Sequence, residues 1–280
     1  RTLTRQRNLD ALELLYDSVP DTLSQLIRTA FIPSAGCRFI VADYSAIEAR
    51  VIAWLAGETS TLAAFRDGKD LYCETASRMF GVPVEKHGIN AELRQKGKIA
   101  THELKPIVDA WRAANPNIVR LWADVEQAAL DAITTRQAVR LRNLRFTAES
   151  GILFITLPSG RRLAYVKPQL GENRWGGTSI TYSGVTTGRK WGRLETYGGK
   201  LVENIVQAVA RDLLVHAMTL VAQAGHKIVM HVHDEIVIDE PEDSGFTIAD
   251  ACQLMTTPPD WAAGLPLDAD GYECDYYRKD

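Results

Sequence analysis

The residues best suited to chemistry are acidic and sit in two separated segments. Asp43 ends the mostly apolar run Arg38-Phe39-Ile40-Val41-Ala42, which follows a glycine and has the length of a buried strand. Asp234 and Glu235 lie between two further apolar runs, residues 227–232 and 236–239, which read as the arms of a hairpin with an acidic tip. Carboxylates crowded at the ends of buried strands repel one another and raise one another's pKa unless a cation neutralises them. A divalent metal is the chemistry such a set invites. A strand-end cap or a solvated turn is what the same residues do when no ion is involved.

Two other spacings carry a chemical reading. Arg94 and Lys98 are four apart in a helical stretch, so they share one face and suit a polyphosphate, as they would also suit plain solvent. Glu48 stands three residues after Ser45, the spacing of a capping box at a helix start, which needs no further function.

The elements that must position these groups follow from periodicity. Residues 9–26 read as helical, with Pro20-Asp21 marking a fresh start. Residues 45–55 form an amphipathic helix closed by Gly57, and residues 60–133 are mostly helical in period. From 138 to 166 the pattern alternates, with Pro158-Ser159-Gly160 as a hairpin turn, and residues 172–190 form a long loop or hairpin excursion. A strong helix covers 201–224, and the tail beyond Pro241 is acidic and turn-rich with one helix near 247–255. Helices and hairpins alternating this irregularly imply an α+β fold.

Composition narrows the class. With 280 residues, 46% apolar and 24% charged, the chain is neither disordered nor fibrous. No uninterrupted apolar run approaches the length of a membrane span, and residues 1–7 lack the apolar stretch of a signal peptide. The four cysteines are scattered without a CxxC pair, which points to a reducing compartment and away from a structural zinc site. The expectation is a cytoplasmic globular protein with no membrane partner. Its net charge of −3 hides an asymmetry, for residues 136–200 hold 12 Lys/Arg against 3 Asp/Glu, and residues 234–280 hold 13 acids against 2 bases. A basic stretch beside an acidic one can meet a polyanion on one side and cations on the other.

Taken together, three segments resemble the family A (DNA polymerase I-like) DNA polymerases. Val41-Ala42-Asp43-Tyr44-Ser45-Ala46-Ile47-Glu48-Ala49-Arg50 is similar to motif A, Leu93-Arg94-Gln95-Lys96-Gly97-Lys98 to the start of motif B, and Val232-His233-Asp234-Glu235-Ile236-Val237 to motif C. They occur in the family's order, and the segment 199–207 resembles the phage and prophage branch most. The resemblance implies a polymerase palm, an antiparallel sheet with a catalytic hairpin, and helical partial fingers. It divides the chain into a first palm part (1–58), a fingers region (59–135) and a second palm part with the tail (136–280).

The resemblance implies roles residue by residue. Asp43 and Asp234 would hold two Mg²⁺ ions, with Glu235 as a further ligand, direct or through water. Arg94 and Lys98 would contact the triphosphate, and Lys98 would also be the proton donor to pyrophosphate. Glu48 would be the steric gate against a ribose 2′-hydroxyl, with Tyr44 packed nearby in the substrate site. His233, Gln207 and Asn204 would touch DNA near the primer end, and Arg50 would be a primer-side or structural cation. The partners implied are primer-template DNA and dNTPs, acted on by a monomer in DNA replication.

One departure stands out. After Lys98-Ile99-Ala100 the fingers helix should continue into the part that stacks on the nascent base pair, but the chain passes to Thr101-His102-Glu103-Leu104-Lys105-Pro106. Either residues are missing at that junction, or the fingers are deleted and the chain is a catalytically impaired DNA-binding derivative. A third reading, a metallohydrolase, rests on His231-Val232-His233-Asp234, but Glu235 and Ile236 break the HxHxD pattern.

Overall fold

The computed structural model describes residues 2, 6, 8–16, 18–98, 105–172 and 176–278. Numbered along the chain, the helices are α1 (Leu9–Leu15), α2 (Val19–Leu26), α3 (Ile47–Ala56), α4 (Thr59–Arg66), α5 (Leu71–Phe80), α6 (Ala91–Lys98), α7 (Lys105–Ala114), α8 (Pro116–Thr135), α9 (Gly198–Gln223) and α10 (Ile248–Met255). The strands are β1 (Cys37–Tyr44), β2 (Val139–Leu141), β3 (Leu144–Glu149), β4 (Ile152–Thr156), β5 (Arg162–Glu172), β6 (Thr178–Val185), β7 (Trp191–Thr196), β8 (Ile228–Val232), β9 (Glu235–Pro241) and β10 (Ala269–Cys274). The α+β expectation holds, with antiparallel pairing throughout.

These elements form two compact units. The first comprises residues 1–45, 214–257 and 267–280, the second residues 46–213 and 258–266. In this division β1 pairs with strands from the far end of the chain, and the sheet of residues 139–196 packs with the helical region.

The first unit is built on a four-stranded sheet in the order β10-β1-β9-β8. Strand alternation gives it two distinct faces. Phe39 and Val41 of β1 and Val237 of β9 form an apolar cluster with Tyr277 on one face. The opposite side packs under α10, where the Tyr44 hydroxyl donates to the Met255 carbonyl at 2.7 Å. Strand β10 went unrecognised in the acidic tail because Ala269-Asp270-Gly271 reads as turn composition. Gly271 is required there: an added Cβ would lie 2.3 Å from the Val41 carbonyl oxygen of the paired strand. Gly271→Ala should therefore lower stability by about 2–3 kcal/mol, read as a shift in the denaturant midpoint.

The second unit carries a six-stranded meander, β2-β3-β4-β5-β6-β7, against which α8 packs. Phe146, Leu153, Ile155 and Ile180 are wholly buried from it. The predicted turn at Pro158-Ser159-Gly160 joins β4 to β5, and the excursion at 172–190 resolves into strands that extend the sheet. Gly57 ends α3 in a left-handed conformation at φ 65°, as its position just past the helix predicts. Among the described residues one helix, α9, is long and apolar enough to cross a membrane, with mean hydropathy 1.5. Leu201, Val202, Ile205, Val209, Leu213 and Leu214 are buried in the fold, and the helix serves as a core element.

Candidate active site

In the first unit, β1 is paired on both sides, and its last residues carry Asp43 to the end of the sheet. Asp43 faces Glu235 of β9 in the ladder. His233 and Asp234 make the two-residue turn between β8 and β9, where Val232 pairs with Glu235. The acidic tip is thus His233-Asp234, and Glu235 belongs to the strand. His233 adopts φ 55°, the left-handed region that tight hairpin turns demand and histidine tolerates better than most residues. The Tyr44 backbone N–H reaches the Asp234 carbonyl at 3.4 Å, which ties the turn to the end of β1.

The two aspartates predicted to converge do so. Asp43 shares a side-chain hydrogen bond with Asp234, and its pKa is raised to about 7 by partial desolvation, by the charges of Asp234 and Glu235, and by that bond. Near neutral pH the pair can keep a proton where a cation would otherwise sit. That is the donor chemistry of a hard divalent ion: oxygen ligands whose mutual repulsion the ion relieves. Among the described residues no group of three or more His, Cys, Asp or Glu converges on a metal-sized point. A magnesium ion that fills its shell with waters and substrate phosphates needs only one or two carboxylates, so the pair fits such an ion.

The raised group fixes a pH dependence. An aspartate with a folded pKa near 7 and an ordinary value of 3.8 binds more protons folded than unfolded between those limits, so stability falls as pH rises through that window. In EDTA the melting temperature should drop between pH 5 and pH 8 more in the wild type than in Asp43→Asn. Melting curves of the two proteins at the two pH values check this, and parallel declines would contradict it.

Tyr44 is buried, on the opposite side of β1 from Asp43, with its hydroxyl committed to Met255. It anchors the strand end that carries Asp43. Glu235 accepts a hydrogen bond from the Tyr277 hydroxyl, a partner that sequence reasoning missed. The only signal of Tyr277 was an aromatic pair in an acidic, turn-rich tail.

In the second unit, the helix α3 is capped by Ala46 at φ 54° with no side-chain cap bond, so the Ser45–Glu48 capping box does not form. Glu48 instead accepts from the Gln207 amide of α9 at 2.6 Å. Asn204, one turn earlier on α9, donates to the Tyr165 hydroxyl at 3.0 Å. Gln207, Asn204 and Tyr165 border an open cleft of about 490 Å³ that is also lined by Arg161, Tyr182 and Arg211. Arg161 clamps the turn before β5 to α9, donating to Asp212 at 2.5 Å and to the Ala208 carbonyl at 2.6 Å. Tyr165 and Arg161, which follow the Pro158-Ser159-Gly160 turn, were not singled out in the sequence.

Arg50 is buried, donating to the Pro266 carbonyl at 3.0 Å with its guanidinium 4.3 Å from the Phe65 ring centroid. These contacts match the structural role among the two expected of it. Arg94 pairs with Asp70 at 2.7 Å. Burial would raise the Asp70 carboxyl, but the bonds from Arg94 and from the Cys73 backbone hold it below the usual carboxylate range. Lys98 closes α6 as expected for a helical position, and its side chain lies outside the described residues, as does the Ala100–Thr101 junction.

Residues 4–104 match the family model for DNA polymerase family A. A DNA polymerase of Bacillus phage SP02 is 50% identical across 100% of this chain and 47% of its own length. That alignment runs over 307 positions, more than this chain's 280 residues, so the relative carries segments with no counterpart here. The thermostable DNA polymerase I of Thermus aquaticus is 30% identical over 89% of this chain and 28% of its own. The chain thus spans about half the length of the phage relative and under a third of the bacterial one. Among solved structures, the POL domain of Pol1 from M. smegmatis, in complex with DNA primer-template and dNTP, superposes with a TM-score of 0.63 at 21% identity, covering 90% of this chain and 42% of that one. The motif order, the paired aspartates at a strand end and a hairpin turn, and the full-length likeness to a phage enzyme lead to one assignment: the chain belongs to the family A DNA polymerases.

Proposed function

We propose that this chain is the palm and partial fingers of a template-directed DNA polymerase, adding dNTPs to a primer 3′-hydroxyl during DNA replication. The observation that carries the reading is the placement of Asp43, at the end of β1, beside the β8–β9 turn that bears Asp234. Asp43 and Asp234 would hold two Mg²⁺ ions, which when bound lower the pKa of the primer hydroxyl and neutralise charge on the leaving pyrophosphate.

This chain's residues do the positioning. Asp43 must give up its proton for the pair to act as ligands. Arg94, held by Asp70 in the substrate-free protein, exchanges that carboxylate for triphosphate oxygens, and Lys98 on the same helix delivers a proton to the departing pyrophosphate. Glu48, steadied by Gln207, closes the space that a ribose 2′-hydroxyl would need. Asn204 and Gln207 offer amides to the minor-groove edges of the bases nearest the primer end, and His233 meets the primer terminus. The basic residues between 136 and 200 supply salt-dependent phosphate contacts. Catalysis in such a site is orientation and charge stabilisation, with no covalent step on the protein.

Primer extension tests the proposal. A labelled primer on a defined template, with four dNTPs and Mg²⁺, should be extended in template order and not in EDTA. Binding of the same DNA without any extension would replace this reading with that of a polymerase-derived binding module.

A further inference from the structure

Glu235 stands directly across from Asp43 in the β1–β9 ladder. Facing residues on antiparallel strands send their side chains to the same side, with Cβ atoms roughly 4.5–5.5 Å apart. By backbone placement alone, Glu235 is positioned to make a third carboxylate beside Asp43 and Asp234. Its Oε1, however, accepts the Tyr277 hydroxyl.

Tyr277 is fixed from several sides. It is 3% exposed and packs with Phe39, Val41 and Val237. Its backbone N–H donates to the Phe31 carbonyl at 2.9 Å, and the Arg28 guanidinium lies 5.7 Å from its ring centroid. Phe39 and Val41 alternate with Asp43 along β1, so their cluster lies on the sheet face from which Asp43 projects. The tail therefore returns across the acidic face and presents one hydroxyl at its carboxylate end.

We infer that Tyr277 is a positioning residue that holds Glu235 out of the ion-binding set and keeps the site to two carboxylates. The inference rests on the proposed reading that Asp43 and Asp234 bind divalent ions. Its physical basis is ligand number. Magnesium is held by one or two carboxylates plus substrate phosphates, whereas added carboxylates raise affinity and favour ions that accept more oxygen ligands. A site restrained to two carboxylates binds its ions weakly until the triphosphate arrives, and lets them go with the product.

The test is Mn²⁺ binding to the full chain without DNA or nucleotide, followed by the paramagnetic resonance signal of the free ion. Tyr277→Phe keeps the ring and removes the hydroxyl, and it should bind Mn²⁺ about tenfold more tightly than wild type. Adding Glu235→Gln should return the affinity to the wild-type level, and the melting temperature in EDTA should stay within a degree or two of wild type. An unchanged affinity in Tyr277→Phe, or a gain that persists in the double variant, overturns the inference. If Tyr277→Phe does not fold, Glu235→Gln alone decides. Unchanged affinity supports exclusion of Glu235, and a tenfold loss shows that Glu235 is already a ligand. The underlying reading is checked separately, because wild type must bind Mn²⁺ more tightly than Asp234→Asn whatever Tyr277 does.

Discussion

Asp234→Asn should reduce primer extension by three orders of magnitude or more, on the order expected when an ion-binding transition-state contact worth about 4 kcal/mol is lost. The amide keeps the size and shape of the side chain, so the β8–β9 turn has no steric reason to move. It also removes the like charge that raises Asp43, so the folded protein should be at least as stable as the wild type in EDTA. Affinity for primer-template DNA should change less than threefold, since phosphate contacts from the basic residues dominate that term. Single-turnover extension, duplex binding and thermal melts on one preparation separate the cases. Loss of binding in parallel with extension would make Asp234 a structural residue and remove the basis of the catalytic account.

Glu48→Ala should relax sugar discrimination, raising incorporation of ribonucleotides relative to deoxyribonucleotides roughly a hundredfold. A steric gate predicts that deoxyribonucleotide incorporation falls far less than the selectivity does. The bond from Gln207 at 2.6 Å adds a second consequence. If that amide sets the direction of the carboxylate, Gln207→Ala should lose part of the same discrimination, and the two changes together should cost no more selectivity than Glu48→Ala alone. Competition assays with paired nucleotides on one template measure this. Selectivity unchanged in Glu48→Ala would return Glu48 to an ordinary helix-face residue.

Much of the architecture could be read before folding was considered. The strand before Asp43, the helix closed by Gly57 and the hairpin around His233-Asp234 each announce themselves by local pattern, because apolar alternation and glycine placement act over a few residues. The convergence of Asp43 and Asp234 was legible only through motif resemblance, since nothing local links positions so far apart. Tyr277, Tyr165 and the Arg161–Asp212 clamp were not legible. Their partners are distant in sequence, and a single tyrosine or arginine carries no periodic signal. Arg50 shows the converse: its position in the motif suggested DNA, but its environment of Phe65 and the Pro266 carbonyl commits it to packing. The long β5–β7 excursion was ambiguous because glycines and arginines depress strand propensity, and cross-strand pairing overrides that.

The order β10-β1-β9-β8 places Asp43 on an interior strand and Asp234 beside a strand that, in this sheet, is bonded along one edge. Amides of β1 should be among the last to exchange with solvent, and those of β8 among the first. Partial opening at that margin would separate the two aspartates while the rest of the molecule stayed intact. Warming would then lower any activity that depends on the aspartate pair before the molecule denatured, and cooling would restore it.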